Sequence, residues 1–239
     1  MFTKTAEFYD AIYSWKDYAK ESQRLLEFIA RNRKSTGHGG NTLLDVACGT
    51  GAHIAYLKNQ YSIEGLDLDE NMLAIVHAKH PDIPLHHGDM IDFDLGREFD
   101  VVVCLFSSIG YVKTPALLNK TIANMARHLA PGGVLVVEPW LTPDKIRGGD
   151  RIHALFVDKP NLKIVRMNES VIENGLCRYV FHYLVGQNNR VSYLREHHTL
   201  GVFTHEQYLG AFQAAGLEVR HDADGLMGRG LYIGVKADP

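Results

Sequence analysis

The sequence predicts an α/β fold, a mainly parallel sheet with helices on both faces, and three observations carry that prediction. Strand-like apolar runs alternate with segments of helical periodicity between residues 42 and 138, the pattern of βα units that build a parallel sheet. The first run, Thr42-Leu-Leu-Asp-Val-Ala47, passes through the turn Cys48-Gly-Thr-Gly51 into a helix, a turn whose glycines let backbone approach a ligand with no Cβ in the way. The next run, Ile63-Glu-Gly-Leu-Asp67, ends on an acid about 20 residues past the turn, where a carboxylate meets a ribose in nucleotide-binding sheets.

The elements follow in order. Over residues 17–31, Tyr18, Leu25, Leu26, Phe28 and Ile29 fall mostly at helical spacing, ahead of the breaker-rich loop Lys34-Ser-Thr-Gly-His-Gly-Gly40, so a helix packs before the sheet begins. Strands are expected over 42–47, 62–66, around Leu85 and His86, over 99–105 and over 134–138, the last after a turn at Pro131-Gly-Gly133. Helices are expected over 52–58, 70–79 and 115–129.

Beyond Trp140 the pattern changes. Segments 163–171, 177–185 and 190–200 are β-branched or aromatic and are separated by Glu173-Asn-Gly175 and Gln187-Asn-Asn189, both good hairpin turns. This predicts an antiparallel β insertion over 141–200, as a substrate cover or an interface, inside a core made of 1–140 and 201–239. A helix over 204–215 starts at Thr204 with Gln207 three residues on, a capping-box signature. Segments 217–221 and 230–236 then close the sheet as a hairpin.

A chain of 239 residues, 46% apolar, is long enough for one full core with an accessory layer. A net charge of -3 lacks the cationic footprint that nucleic acid requires and directs attention to a small-molecule substrate. Cys48, Cys104 and Cys177 form neither a disulfide framework nor, with the histidines, a zinc pattern. With no signal-like segment and no membrane-length apolar run, a cytoplasmic enzyme without metal or membrane attachment is expected.

Chemistry is expected at the carboxyl ends of the strands, where open α/β sheets bind ligands. Asp45 lies inside the first strand, where an acid accepts from an ammonium group or orients the turn's amides. A dinucleotide site would want a third glycine where this chain has Ile54, so the turn suits a mononucleoside. Asp67 is assigned to the ribose hydroxyls. Met72 is assigned to an adenine face, since a thioether adapts to a flat ring. Ala47, Gly49, Gly51, Leu68, Met90 and Leu105 flank these motifs and are assigned to the same cofactor pocket. The fourth strand leads into Cys104-Leu-Phe-Ser-Ser-Ile-Gly-Tyr111, a polar loop with aromatics in which Phe106, Ser107 and Tyr111 would position donor and acceptor, or cap a helix and pack. Trp140 would stack on substrate or wall the cleft. His197 and His198 alternate on one strand, so at most one faces inward, as a hydrogen-bonded structural histidine.

Asp-x-x-Cys-Gly-Thr-Gly resembles motif I of the S-adenosylmethionine-dependent methyltransferases. That resemblance implies a Rossmann-like class I methyltransferase sheet, S-adenosylmethionine as cofactor and Asp89, in Gly88-Asp-Met90, accepting from the adenine amino group. Together with Phe106-Ser-Ser-Ile-Gly-Tyr111, Leu129-Ala-Pro-Gly-Gly133, Val137-Glu-Pro-Trp140 and Gly228-Arg-Gly-Leu-Tyr232, these motifs resemble the N,N-dimethyltransferases of nucleotide-linked 3-amino-3,6-dideoxyhexoses. Such enzymes complete antibiotic sugars such as desosamine and mycaminose. The likeness runs from Phe8-Tyr-Asp-x-x-Tyr13 and Lys16-Asp-Tyr18 to the final hairpin and is weakest over 141–199. It implies that Tyr13 faces the amino sugar, as a positioning group before a base, and that Arg229 reaches the substrate side, where its planar fork suits a diphosphate.

The rivals are a methyltransferase of the same fold acting on another amine, hydroxyl or carboxylate, a nicotinamide oxidoreductase, disfavoured by Ile54, and a non-catalytic nucleoside-binding module. A homodimer stays open.

Overall fold

The computed structural model describes residues 5–34, 40–143 and 152–237. The expected loop positions 35–39 and the first part of the expected insertion, 144–151, lie outside them.

A short helical entry, α1 (Tyr9–Ile12), precedes α2 (Tyr18–Asn32). The core then alternates as expected: β1 (Thr42–Val46), α3 (Ile54–Leu57), β2 (Ser62–Asp67), α4 (Glu70–Lys79), β3 (Leu85–His87), β4 (Phe99–Cys104), α5 (Pro115–Arg127) and β5 (Leu129–Val137). After the antiparallel strands β6 (His153–Lys159), β7 (Leu162–Glu173), β8 (Leu176–Gln187) and β9 (Arg190–Gly201), the chain returns through α6 (His205–Ala214) to β10 (Leu217–Asp222) and β11 (Leu231–Lys236).

The main sheet has seven strands in the order β10-β11-β5-β4-β1-β2-β3. The first five strands are parallel, and β11 runs antiparallel between β5 and β10. Because β1 lies between β2 and β4, the chain order reverses there and opens a crevice at the carboxyl edge. All six residues of β4 are buried, since helices cover both faces of the sheet at its centre. Leu25, Ile29, Ile54 and Val76 cover one face against Leu43 and Val101. Ile122, Met125 and Phe212 cover the other against Leu44 and Val102. Helix starts are set by side-chain caps: Asp17 accepts from the Lys20 N–H, Asp69 from Asn71 and Thr114 from Leu117. Thr204 and Gln207 form the full capping box.

Four expectations needed correction. The helix after the glycine turn is short, Ile54–Leu57 rather than 52–58. Helix α5 stops at Arg127, so Leu129 starts a strand. Pro131-Gly-Gly133 is no turn before that strand but part of β5, at an irregularity in the pairing with β4 between Phe99 and Val101. A Cβ on Gly133 would lie 2.8 Å from the Ala130 carbonyl oxygen and 3.0 Å from that of Asp100, so glycine is required by close approach rather than by reversal. Strand β6 was not anticipated, because only Val157 along it is buried.

The second sheet has four antiparallel strands in the order β6-β7-β8-β9. Its hairpins turn at Asn174-Gly175 and Asn188-Asn189, all at positive φ, the conformation that two-residue hairpins demand. Val157, Ile164, Tyr183 and Val185 on its inner face pack against Phe8, Ala11, Ile12 and Tyr13. On the outer face Phe156, Val165, Leu184 and Tyr193 pair in one row across all four strands. Among the described residues no helix is long and apolar enough to cross a membrane.

Candidate active site

A cavity of about 760 Å³ sits at the carboxyl edge of the main sheet, walled by the strand-end loops, the N-terminal segment and the inner face of the second sheet. The strand-end side holds most of the cofactor residues expected from sequence. Ala47 and Gly49 from the first turn and Asp67 and Leu68 from the end of β2 line it. Met72 from α4 and Asp89 and Met90 after β3 continue the same wall. Asp67 accepts from the Gly49 N–H at 2.8 Å and the Asp69 N–H at 2.9 Å. That pair of bonds locks the carboxylate at the cavity edge, although burial raises its pKa above the usual carboxylate value. Asp89 accepts from the Ile91 N–H at 3.0 Å, which shapes its loop.

Asp45 is not on this wall. It borders a small adjoining pocket of about 40 Å³ with Tyr18, Cys48, His53 and Leu105, and this pocket shares Tyr9, Ala47, Gly49 and Phe106 with the main cavity. Burial pushes the Asp45 carboxyl up to about 7, so a cationic ligand group there would restore its charge. Leu105 borders the small pocket alone. Gly51 borders neither: its φ is +72°, and a Cβ would lie 3.0 Å from a Val76 methyl. Its glycine serves the packing of the turn on α4 rather than contact with ligand.

Between the two pockets the chain is held in an unusual shape. Phe106 and Ser107, consecutive non-glycine residues, have φ of +50° and +65°, a conformation that persists only where the surroundings enforce it. The Phe106 N–H donates to Glu138 Oε2 at 2.7 Å, and the Ser107 hydroxyl donates to the Pro139 carbonyl at 2.8 Å. Arg229 donates to Ser107 Oγ at 2.8 Å, and its guanidinium lies 5.2 Å from the Phe106 ring centroid and 5.4 Å from that of Trp140. Lys16 Nζ lies 3.9 Å from the Phe106 ring centroid and pairs with Glu21 at 2.8 Å.

Burial lowers the Lys16 pKa and raises that of Glu138, which Arg229 and Lys16 partly offset. Burial would raise Glu21 too, but hydrogen bonds from His53 and Lys16 hold it below the usual range. Tyr13 meets Phe106 edge to face at 5.0 Å, and its oxygen accepts from Arg166 at 3.1 Å.

The opposite wall comes from the second sheet. Arg166, Asn168, Tyr179, Phe181 and His198 line it, together with Trp140 and Tyr111 from the core. None of the first four was singled out by sequence. The signal became available only through strand register, which puts Asn168 opposite Phe181 and Tyr179 opposite His198 on the inner face. Glu138 and Lys16 were also missed as site residues, although Glu138 ends a strand beside Trp140. Of the two adjacent histidines, His198 is buried and His197 exposed, in line with the expected alternation.

Trp140 Nε1 and Arg166 Nε, both on cavity-lining residues, are buried with no hydrogen-bond partner among the described residues. No cluster able to hold a metal ion occurs among the described residues. An acid-ended nucleoside wall beside a turn at a topological switch point fits S-adenosylmethionine. The fold and this wall define an S-adenosylmethionine-dependent methyltransferase of class I.

Comparison with known proteins narrows the class. A family described as a methyltransferase domain matches residues 43–133. The chain is 41% identical over 234 residues to dTDP-3-amino-3,6-dideoxy-alpha-D-glucopyranose N,N-dimethyltransferase of Streptomyces fradiae, covering 96% of this chain and 90% of the relative. Among solved structures, DesVI of Streptomyces venezuelae matches with a TM-score of 0.90 at 38% identity, over 98% of this chain and 99% of that one. CalS10 bound to S-adenosylmethionine, an amino pentose methyltransferase from Micromonospora echinaspora, matches with a TM-score of 0.85 at 34% identity, over 96% of each chain. This chain belongs to the family of nucleotide-linked amino-deoxysugar N,N-dimethyltransferases.

Proposed function

We propose that this enzyme methylates the amino nitrogen of a nucleotide-linked amino-deoxysugar. The observation that carries the reading is one cavity with two chemically distinct walls: acids and a glycine turn at the strand ends, and cations with aromatic rings facing them. The Streptomyces fradiae relative is named for a dTDP-linked amino sugar, and the second wall has groups suited to such a ligand. Arg229 and Arg166 suit a diphosphate, and Trp140 with Tyr179, whose rings lie 5.8 Å apart, suits a base.

On the donor side, Asp67 is assigned to the ribose hydroxyls, Asp89 to the adenine amino group and Met72 to the ring face. Asp45 is assigned to the donor's ammonium group. Ala47, Gly49, Leu68, Met90, Leu105 and Phe106 surround the donor, and Gly51 supports the turn from behind. S-Adenosylmethionine supplies a methyl group already activated by its sulfonium. The protein's own task is to hold a neutral amine in line with it and to exclude water. Tyr13, Ser107 and Tyr111 perform that positioning. The division into a donor-binding core, 1–140 with 201–239, and an acceptor cover, 141–200, belongs to the same proposal.

Mass spectrometry of products from a panel of nucleotide amino sugars, simple amines and phenols tests this reading. Products heavier by one and then two methyl groups from an amino sugar support it. Turnover confined to simple amines or phenols refutes it.

We also propose that the outer row Phe156, Val165, Leu184 and Tyr193 faces a second copy of this chain. Phe156, Leu184 and Tyr193 are exposed. The charges sharing that face, Asp158, Lys163, Glu169 and Arg195, are of both signs, which suits self-pairing better than a strongly acidic or basic partner.

A further inference from the structure

Four phenols line the cavity wall, those of Tyr9, Tyr13, Tyr111 and Tyr179, and two of them are tied to the second sheet. The Tyr13 oxygen takes an N–H from Arg166 at 3.1 Å. Tyr111 is held the other way. Its hydroxyl lies 2.7 Å from His198 Nδ1, inside the second sheet's inner face. His198 is 2% exposed, and its other nitrogen, Nε2, has the Glu196 carboxylate as an electrostatic neighbour at 3.7 Å, beyond hydrogen-bond length. Glu196 is 4% exposed and accepts from the Thr5 hydroxyl at 2.7 Å.

A carboxylate on the Nε2 side favours the imidazole tautomer that carries its proton there. In that tautomer Nδ1 is an acceptor and the Tyr111 O–H donates to it. What the phenol turns toward the cavity is its lone pairs.

We infer that Glu196 and His198 orient the Tyr111 hydroxyl so that its oxygen accepts an N–H of the substrate's amino group, leaving the nitrogen's own lone pair for the methyl. The inference rests on the amino-sugar reading above. A phenol free to rotate would donate to that nitrogen instead, and a nitrogen lone pair engaged in a hydrogen bond does not attack. Tyr111 touches the substrate, while His198 and Glu196 are positioning residues that act through it. The chain acts as an orienting device, not a proton sink. Burial raises the Tyr111 pKa and lowers that of His198, so neither group gains by ionising. The second methylation has the same requirement, since the monomethylated amine still carries an N–H to be held and a lone pair to be left alone.

The test is a double-mutant cycle on turnover of whichever dTDP-amino sugar the enzyme accepts, with saturating methyl donor. Tyr111→Phe and His198→Ala should each lower kcat about tenfold, and the double variant should lose no more than Tyr111→Phe alone, because without the phenol His198 has nothing to orient. His198→Asn, whose amide oxygen replaces Nδ1 as acceptor, should recover most of the loss. Glu196→Gln should slow the enzyme only while Tyr111 is present, and it decides the matter if His198→Ala does not fold. Donor affinity by calorimetry should stay within twofold in every variant, which a collapsed pocket would not allow. Losses that multiply in the double variants, or an Asn variant as slow as the Ala variant, overturn the inference. A wild-type enzyme idle on every amino sugar, yet active on another amine or phenol, overturns the substrate reading and this inference with it.

Discussion

Asp45 offers a prediction whose size follows from its burial. Its carboxyl, 3% exposed beside the small pocket, is pushed up to about 7. If it holds the donor's ammonium group, only the ionised acid binds well. At pH 6 about one molecule in ten of the donor-free enzyme has Asp45 ionised. Donor affinity should therefore be highest near pH 7 to 7.5, because the donor's α-amino group, with an ordinary pKa of about 7.7–8.0, stays largely protonated there.

Below pH 7 the affinity should fall about tenfold per pH unit, with close to one proton released on binding. Calorimetric titrations in buffers of different ionisation enthalpy read both quantities. Asp67, also raised by burial, adds to the slope, so Asp45→Asn is the control and should flatten the profile by about one proton.

The stability prediction has the opposite sign. An acid whose pKa rises on folding costs nothing below its unfolded value of 3.8 and destabilises increasingly as pH climbs through about 7. The full cost is on the order of 4 kcal/mol. Donor-free Asp45→Asn should accordingly melt higher than the native enzyme at pH 8 and alike at pH 4. An affinity flat from pH 7.5 to 5.5 in the native enzyme, or an Asn variant that keeps the full slope, would refute the assignment.

Three further outcomes are expected. Tyr13→Phe should lower turnover about tenfold while donor affinity holds; loss of donor binding in calorimetry would contradict its positioning role. Glu138→Ala removes the acceptor for the Phe106 N–H and should cost about 1–3 kcal/mol. That is a melting temperature lower by roughly 5 °C, with a raised donor KM; unaltered melting and KM would show that the bend stands without it. Leu184→Glu places a charge in the middle of the outer apolar row, and sedimentation should show the native enzyme as a dimer and the variant as a monomer. A monomeric native enzyme rules that interface out.

The parallel core was legible because burial on both faces leaves little freedom in composition: Val101, Val102 and Val103 could hardly be anything but a central strand. Helix α4 was read to both its ends, Glu70 and Lys79, since Asp69 caps it locally. β6 escaped because an edge strand with one buried side chain carries no alternation, and β5 was misread because glycine pairs signal turns when their reason is a close neighbour. The same division holds at the site. Asp67 and Asp89 were readable because strand ends are local features with a fixed geometric meaning. Arg166, Asn168 and Phe181 were not, since they become one surface only when β7 and β8 pair in register. No local pattern marks which of two alternating residues will face inward.

The two halves of the cavity differ in how they are written. On the side proposed for the donor, the main chain sets much of the surface, through the left-handed residues Ala47, Gly49 and Phe106 and the amides that fix Asp67. The wall proposed for the acceptor is made of side chains standing on a regular lattice of strands. Exchanging one of those side chains leaves the ladder beneath it intact. Under the proposed division, a point substitution there changes the fit to the sugar and leaves the surface for the methyl source as it was.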